Sequence, residues 1–440
     1  MKKQYFGTQT TKAIKNFPFT FRRTPKVFLY TIVEIKKAAA LAHFEVAELD
    51  RGRKTAVVQA CDEILRGKLD AQFVLPAFQG GAGTSNHMNV NEVIANRATE
   101  ILSGKKKTDV HPNNHVNMSH STNDVMPSAL KIVALRLSEK LLLTLDALAR
   151  TFDKKADEFA TVTKLGRTHM QDAVPITLGD EFASYAEYIR RGSARIAHAR
   201  EELRELNLGG SAVGNSLNAS GRYRKLLYRH LKKITKINIR PAKNLMARTS
   251  SDTDFVALSQ ALAALCVDLS KIANDLRVLS SGPRGGFGEI SLPELQAGSS
   301  MMPGKVNPIL PEAVNQLYFL VSGNNVAIEK AAEAAQLELG AMLPLITDRL
   351  IESLTLIEEV VSVFRARCVA GIRANRARMQ GHLEKSTSYA TLLSPQIGYQ
   401  TAADAVKQAI AENKPLRSVI TERKILTEKQ FDQLTRPQKQ

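Results

Sequence analysis

Four polar segments interrupt the chain, and they hold most of the side chains that could do chemistry. They are Gly80-Gly81-Ala82-Gly83-Thr84-Ser85-Asn86-His87-Met88-Asn89, His115-Val116-Asn117-Met118-Ser119-His120-Ser121-Thr122-Asn123-Asp124, Gly166-Arg167-Thr168-His169-Met170-Gln171-Asp172 and Gly298-Ser299-Ser300-Met301-Met302-Pro303-Gly304-Lys305-Val306-Asn307-Pro308. Each concentrates hydroxyls and amides, with cations such as Arg167 and Lys305 among them. Surface loops are commonly polar and glycine-rich, so one such stretch says little. Four with the same chemistry say more. Hydroxyls, amides and helix N-termini, helped by a lysine, bind anions. Two clusters of this kind suit a substrate with two carboxylates.

Other chemistries fail on spacing. A P-loop needs four residues between its glycines and Ser or Thr after its lysine. Here five separate Gly298 from Gly304, and Val306 follows Lys305. Gly80–Gly83 lacks the dinucleotide-binding pattern and its flanking strand. A hydrolase Gly-x-Ser-x-Gly elbow is absent. His111, His115 and His120 have no carboxylate or cysteine alongside, and Pro112 argues against one helical face, so no metal is expected there. Cys61, Cys266 and Cys368 lie far apart with no C-x-x-C, which excludes a disulfide scaffold and a cysteine zinc site. No cofactor is implied.

The bulk composition narrows the partners. The 440 residues carry 61 Lys and Arg against 43 Asp and Glu, a net charge of +18, and 44% are hydrophobic. That is a globular composition, not a disordered one. The basic excess is either a solvated surface or a field that draws in a small anion. Nucleic acid is not the expected partner, because there is no Trp, aromatics are 6% and no nucleic-acid module is recognisable. No apolar run reaches the roughly 18 residues that span a bilayer. The polar start is no signal peptide. A cytoplasmic protein with no membrane contact is the expectation, and three isolated cysteines suit a reducing compartment.

The elements that must position the four segments are long helices. Phe255, Leu258, Leu262, Leu265, Leu269, Ile272, Leu276 and Leu279 recur at steps of three and four. This heptad seam predicts a helix of roughly 28 residues, about 42 Å long. Ser250, Ser251 and Asp252 offer caps before it, and Ser281-Gly282-Pro283 ends it. Similar seams run from Leu130 to Phe152 and from Leu350 to Cys368. Helical patterns also cover Ile176 to about Leu206 and Glu312 to about Leu339, the latter with an expected kink at Gly323. Strand signals are few. The fold class is mainly α, with a central bundle of five long helices. The expected domains are an N-terminal helical domain at 1–121, the bundle at 122–377 and a small helical C-terminal domain at 378–440, ending in a polar stretch from Arg436. Seams this long exceed what one bundle covers, which points to burial against another chain.

The four segments resemble the shared regions of the fumarase/aspartase superfamily. The fourth looks like its signature G-S-S-x-M-P-x-K-x-N-P. The others look like G-G-A-G-T-S, Q-S-T-N-D and G-R-T-H-x-Q-D, in the family's order. The likeness runs from about Tyr5 to about Leu434. It implies a three-domain, mainly α subunit and a homotetramer, with the helices of four subunits in one core and active sites shared between subunits. It implies elimination from a small dicarboxylate to give fumarate, by removal of a Cβ proton through an aci-carboxylate. By the same resemblance Ser299 is the base, with Ser300 beside it. Lys305, Asn307 and Thr168 hold the α-carboxylate. Thr84, Ser121, Thr122 and Ser300 surround the carboxylate that takes up charge. Asn123 and His169 lie by the leaving amine, and Glu312 pairs with His169.

Leu292–Gly298, Ile309–Glu312 and Glu333–Leu339 look like the aspartase branch. The expected reaction is therefore reversible loss of ammonia from L-aspartate. The alternatives are hydration of fumarate to malate and a non-catalytic helical assembly that binds polyanions. Departures from the family pattern are His87 for Asn, His120 for Gln, Gly340 and Leu343 for Asn and Glu, and Lys12 and Lys15 near the start.

Overall fold

The computed structural model describes residues 3–102 and 109–435; the polar end from Arg436 lies outside them. Along the chain run α1 (Thr8–Asn16), α2 (Lys26–Glu45), α3 (Arg51–Leu65), α4 (Thr84–Leu102) and α5 (Thr122–Glu158). A hairpin follows, β1 (Thr163–Thr168) and β2 (Gln171–Thr177), then α6 (Leu178–Ala199), α7 (Gly221–Thr235) and the single turn α8 (Ala247–Ser250). Next come α9 (Thr253–Leu279), α10 (Ile309–Glu333) and α11 (Leu343–Arg367). Five short helices close the chain: α12 (Arg376–Lys385), α13 (Tyr389–Ile397), α14 (Tyr399–Ala411), α15 (Leu416–Glu422) and α16 (Glu428–Thr435). The protein is mainly α.

The five predicted long helices are present. They are α5, α6, α9, α10 and α11, of 37, 22, 27, 25 and 25 residues. Three details differ. α6 starts at Leu178, because Ile176 belongs to β2. α10 runs unbroken through Gly323 and ends at Glu333, short of Leu339. The third correction concerns the seams. Phe255, Leu258, Leu262, Leu265, Leu269, Ile272 and Leu276 are fully buried, as are Leu350, Leu354, Ile357, Val361 and Phe364. The chain covers its own heptads, so they demand no partner. What remains uncovered is a different set. Phe319 on α10 is 65% exposed and Val326 54%. With Gly323 between them they form one stripe at i, i+4 and i+7, and a Cβ added at Gly323 would touch nothing.

By length and composition α9 is apolar enough to cross a bilayer. Its leucine seam is buried against protein instead.

The chain forms two compact units, and the long helices contribute to both. One unit comprises residues 1–142, 194–264 and 319–358. In it α2 packs on α3 and α7, and α3 on α4. Val57, Ala60, Cys61, Val90, Val93 and Leu227 are fully buried there. The other comprises 143–193, 265–318 and 359–440. Its described C-terminal helices pack around Leu383, Leu393, Val419, Ile420 and Phe431, and Leu165 of β1 joins that core. The three cysteines are buried and unbridged.

Candidate active site

Two helix starts carry the first group of residues. Gly81, Ala82 and Gly83 all have positive φ in a tight turn that delivers Thr84 to the first position of α4. Thr84 Oγ1 donates to Gly81 O at 2.8 Å. Gly83 favours glycine because its φ is 87°, a left-handed conformation that a side chain strains. Ser121 caps α5. Its Oγ accepts from Asn123 N at 3.2 Å, and Asp124 Oδ1 accepts from Ser121 N at 2.9 Å. This is a capping box closed by Asp, and it fixes Ser121, Thr122 and Asn123 around the positive end of a 37-residue helix. The Asn123 side-chain amide donates to Ala212 O at 2.8 Å, which leaves its Oδ1 as the acceptor.

Asp124 was not foreseen as a site-building residue, although an acid three positions after Ser121 was the cue. It is fully buried and also accepts from Gly209 N and Ser211 N at 2.9 and 3.2 Å. Burial pushes it up to about 6 in spite of these donors. Nearby, the buried Lys36 ammonium donates to Asn117 Oδ1 at 2.7 Å and faces His120 Nδ1 at 3.1 Å. Burial brings Lys36 down to about 7. As a donor to Nδ1 it leaves the His120 proton on Nε2, facing Tyr223 OH at 2.9 Å.

The hairpin carries the second group. The pairing of Thr168 with Gln171 leaves a two-residue turn, His169-Met170, with φ of 54° and 61°. Both central residues are left-handed, the geometry of a type I′ turn that normally takes Asn-Gly. Holding a histidine there costs of the order of 1 kcal/mol or more, and the exchange is an exposed His169 at the tip. The base of the hairpin is pinned by Glu289, which is fully buried. It pairs with Lys164 at 3.0 Å, Arg167 at 2.8 Å and His382 at 2.9 Å. Burial alone would raise Glu289; Lys164, His382 and Arg167 outweigh it and keep the carboxyl below its ordinary range. Gly166 admits the bulge opposite, because a Cβ there would stand 2.7 Å from Val174 O. Sequence reading missed this hairpin. Its signals were Val162-Thr163 and Val174, Ile176 and Thr177, β-branched residues on both sides of a turn without glycine.

The loop before α10 carries the third group. Ser299 Oγ accepts from Met301 N at 3.1 Å and Met302 N at 3.2 Å. Asn307 Nδ2 donates to Gly298 O at 2.6 Å and folds the loop back on itself. The closure requires Gly298, whose Cβ would otherwise lie 1.9 Å from Lys305 O. Gly304 turns the chain at φ 76°, and Ser300 and Lys305 are exposed. Lys305 and Asn307 line a cleft of about 720 Å³ together with Met170 of the hairpin tip and Arg277 of α9. Arg277 is a second cation that the sequence reading passed over. Glu312 sits in the first turn of α10, where the helix dipole favours a carboxylate. Among the described residues of one chain, no hydrogen bond or ion pair joins Glu312 to His169.

Thr84, Ser121, Thr122 and Asn123 thus belong to one compact unit. Thr168, His169, Ser299, Ser300, Lys305, Asn307 and Glu312 belong to the other. One unit offers hydroxyl-lined helix starts, and the other an exposed imidazole and a serine held by backbone donors; these are the group types that anion binding and proton abstraction require.

Comparison with known proteins gives that class its family. A family model described as "Lyase" matches residues 1–323, and one described as "Fumarase C C-terminus" matches residues 390–439. The chain belongs to this fumarase/aspartase family of lyases. It is 44% identical to an aspartate ammonia-lyase of a Bacillus species, with 99% of this chain and 94% of that protein covered. It is 41% identical to a class II fumarate hydratase of Campylobacter jejuni over 99% of this chain and 95% of that one. A solved fumarate lyase:delta crystallin structure from Brucella melitensis, bound to cobalt, superposes with a TM-score of 0.95 at 43% identity, covering 99% and 95% of the two chains.

Proposed function

We infer that the protein eliminates ammonia from L-aspartate to give fumarate, reversibly. The observation that carries this reading is the Ser299 hydroxyl held by two backbone N–H groups. A serine is far too weak an acid to be a base unaided. Two N–H donors on its oxygen favour the alkoxide over the hydroxyl. The alkoxide takes the proton from Cβ. The electron pair spreads into the adjoining carboxylate as an aci-carboxylate, then forms the Cα–Cβ double bond as the C–N bond breaks and ammonia departs.

Charge accumulates on the carboxylate next to Cβ. Thr84, Ser121, Thr122 and Ser300 surround it, and preset donors at such a position supply the largest share of rate. Lys305, Asn307 and Thr168 bind the α-carboxylate. The Asn123 Oδ1, which accepts no hydrogen bond among the described residues, suits an ammonium, which is all donor, and His169 stands by the same leaving group. Relatives named aspartate ammonia-lyase favour the amine as leaving group. A relative named fumarate hydratase keeps malate as the second reading.

The working form is a homotetramer in which each site draws on different subunits, and Glu312 of one copy meets His169 of another. Two observations support it. Among the described residues of one chain no hydrogen bond or ion pair joins Glu312 to His169, and α10 exposes the Phe319–Val326 stripe. The substrate is identified by following the ultraviolet absorbance of fumarate with L-aspartate and then L-malate. Aspartate should be consumed with release of equimolar ammonia. Turnover of malate alone would reassign the leaving group to water.

A further inference from the structure

Behind the N-terminus of α5 lies a buried histidine that the reaction does not use. His87, on the first turn of α4, is 1% exposed, and its Nδ1 stands 3.0 Å from Thr122 Oγ1. Its other ring nitrogen, Nε2, is buried with no hydrogen-bond partner among the described residues. Burial, reinforced by the Lys36 cation, holds the ring well below the usual imidazole range, so it is neutral and carries one proton. That proton has two sites. On Nε2 it would be a buried N–H without an acceptor, and Thr122 would spend its own proton on Nδ1. On Nδ1 it is donated to Thr122 Oγ1 and leaves a bare lone pair at Nε2. Orphaned buried N–H groups are rarer than under-satisfied acceptors, which favours the second arrangement. The second arrangement frees the Thr122 hydroxyl proton, and no described residue of the chain accepts it.

We propose that His87 is a positioning residue: by donating to Thr122 Oγ1 it commits the Thr122 hydroxyl to donate to the substrate carboxylate that takes up charge. The inference rests on the reading of Thr122 as a ligand of that carboxylate. A donor preset at this oxygen counts most when the charge peaks, so its loss falls on turnover more than on ground-state binding. The logic also names the acceptable replacement. An asparagine amide has an N–H to give to the same oxygen, and a leucine of similar bulk has none.

The test compares His87→Leu, His87→Asn, Thr122→Val and the double variant His87→Leu/Thr122→Val in kcat for L-aspartate and in the dissociation constant for succinate. Expected are a fall in kcat of about 10- to 100-fold for His87→Leu, succinate binding within about threefold of the starting protein, and activity for His87→Asn within about threefold. The double variant should be no worse than the poorer single variant, since both remove one donor. Losses that multiply in the double variant, or His87→Leu at full turnover beside an impaired Thr122→Val, would overturn the role of His87 and leave the carboxylate assignment standing. Thr122→Val at full activity would remove that assignment, and the inference with it. If His87→Leu does not fold, the same cycle with His87→Met decides.

Discussion

Ser299 is the residue on which the proposed chemistry turns. Ser299→Ala keeps the loop's backbone closure, because Asn307 and Gly298 make it, and removes only the oxygen that Met301 N and Met302 N hold. Turnover should fall by several orders of magnitude with fold and assembly intact; a variant retaining more than about a tenth of the rate would remove Ser299 as the base. A second residue shapes the pH response of the fold. Asp252 is buried beside Asp254, and its Oδ2 has no hydrogen-bond partner among the described residues. Gly340 leaves it room, since a Cβ there would lie 2.1 Å from Oδ2. Burial, with the charge of Asp254, raises Asp252 from 3.8 to about 7. The folded state therefore keeps a proton that the unfolded chain has lost, and stability from this group falls as pH rises from about 4 to about 7. Asp252→Asn should stabilise by on the order of 1–3 kcal/mol at pH 8 and by nearly nothing at pH 4. Thermal denaturation at the two pH values reads the difference. An equal gain at both would show that Asp252 is not the titrating group.

At the scale of elements, the β1–β2 hairpin depends on a buried charge. Glu289→Gln would leave Arg167 without its carboxylate partner and Lys164 with Glu181 alone, and unpairing a buried charge commonly costs about 3–5 kcal/mol. His169 at the tip should lose its fixed position. The expectation is a fall in kcat of about tenfold or more with Tm lowered. A variant with lowered Tm but unchanged kcat would place Glu289 in stability alone. The same hairpin shows where sequence reading stops. Long helices announce themselves through leucine seams, because a 3.6-residue period repeats over many turns. The four polar segments stood out because all four repeat the same hydroxyl and amide chemistry, which a single polar loop would not have signalled. The hairpin was not, because its turn uses His169 and Met170 where Asn-Gly would signal it. The seams were read correctly as helices and wrongly as intersubunit surface. Periodicity says that a face is buried and is silent on what buries it. Contacts such as Lys36 with His120, or His87 with Thr122, join residues 84 and 35 positions apart and leave no local trace.

The whole molecule distributes its candidate residues between two compact units and leaves an apolar stripe on α10. If that stripe is intersubunit surface, Phe319→Asp places a charge in it at a cost of several kcal/mol. Sedimentation should then show smaller species, with activity lost in step and each chain still helical; a fully active variant of unchanged size would exclude the stripe from the interface. The proposed shared site brings Ser299 and His169 together from different copies of the chain. Subunit mixing tests it most directly. Ser299→Ala and His169→Ala proteins, each inactive alone, are unfolded together, refolded and isolated as mixed tetramers. Some sites in the mixture then contain both intact residues, and activity should return to a sizeable fraction of the unmutated level. Verified mixed tetramers with no recovery would contradict the shared site.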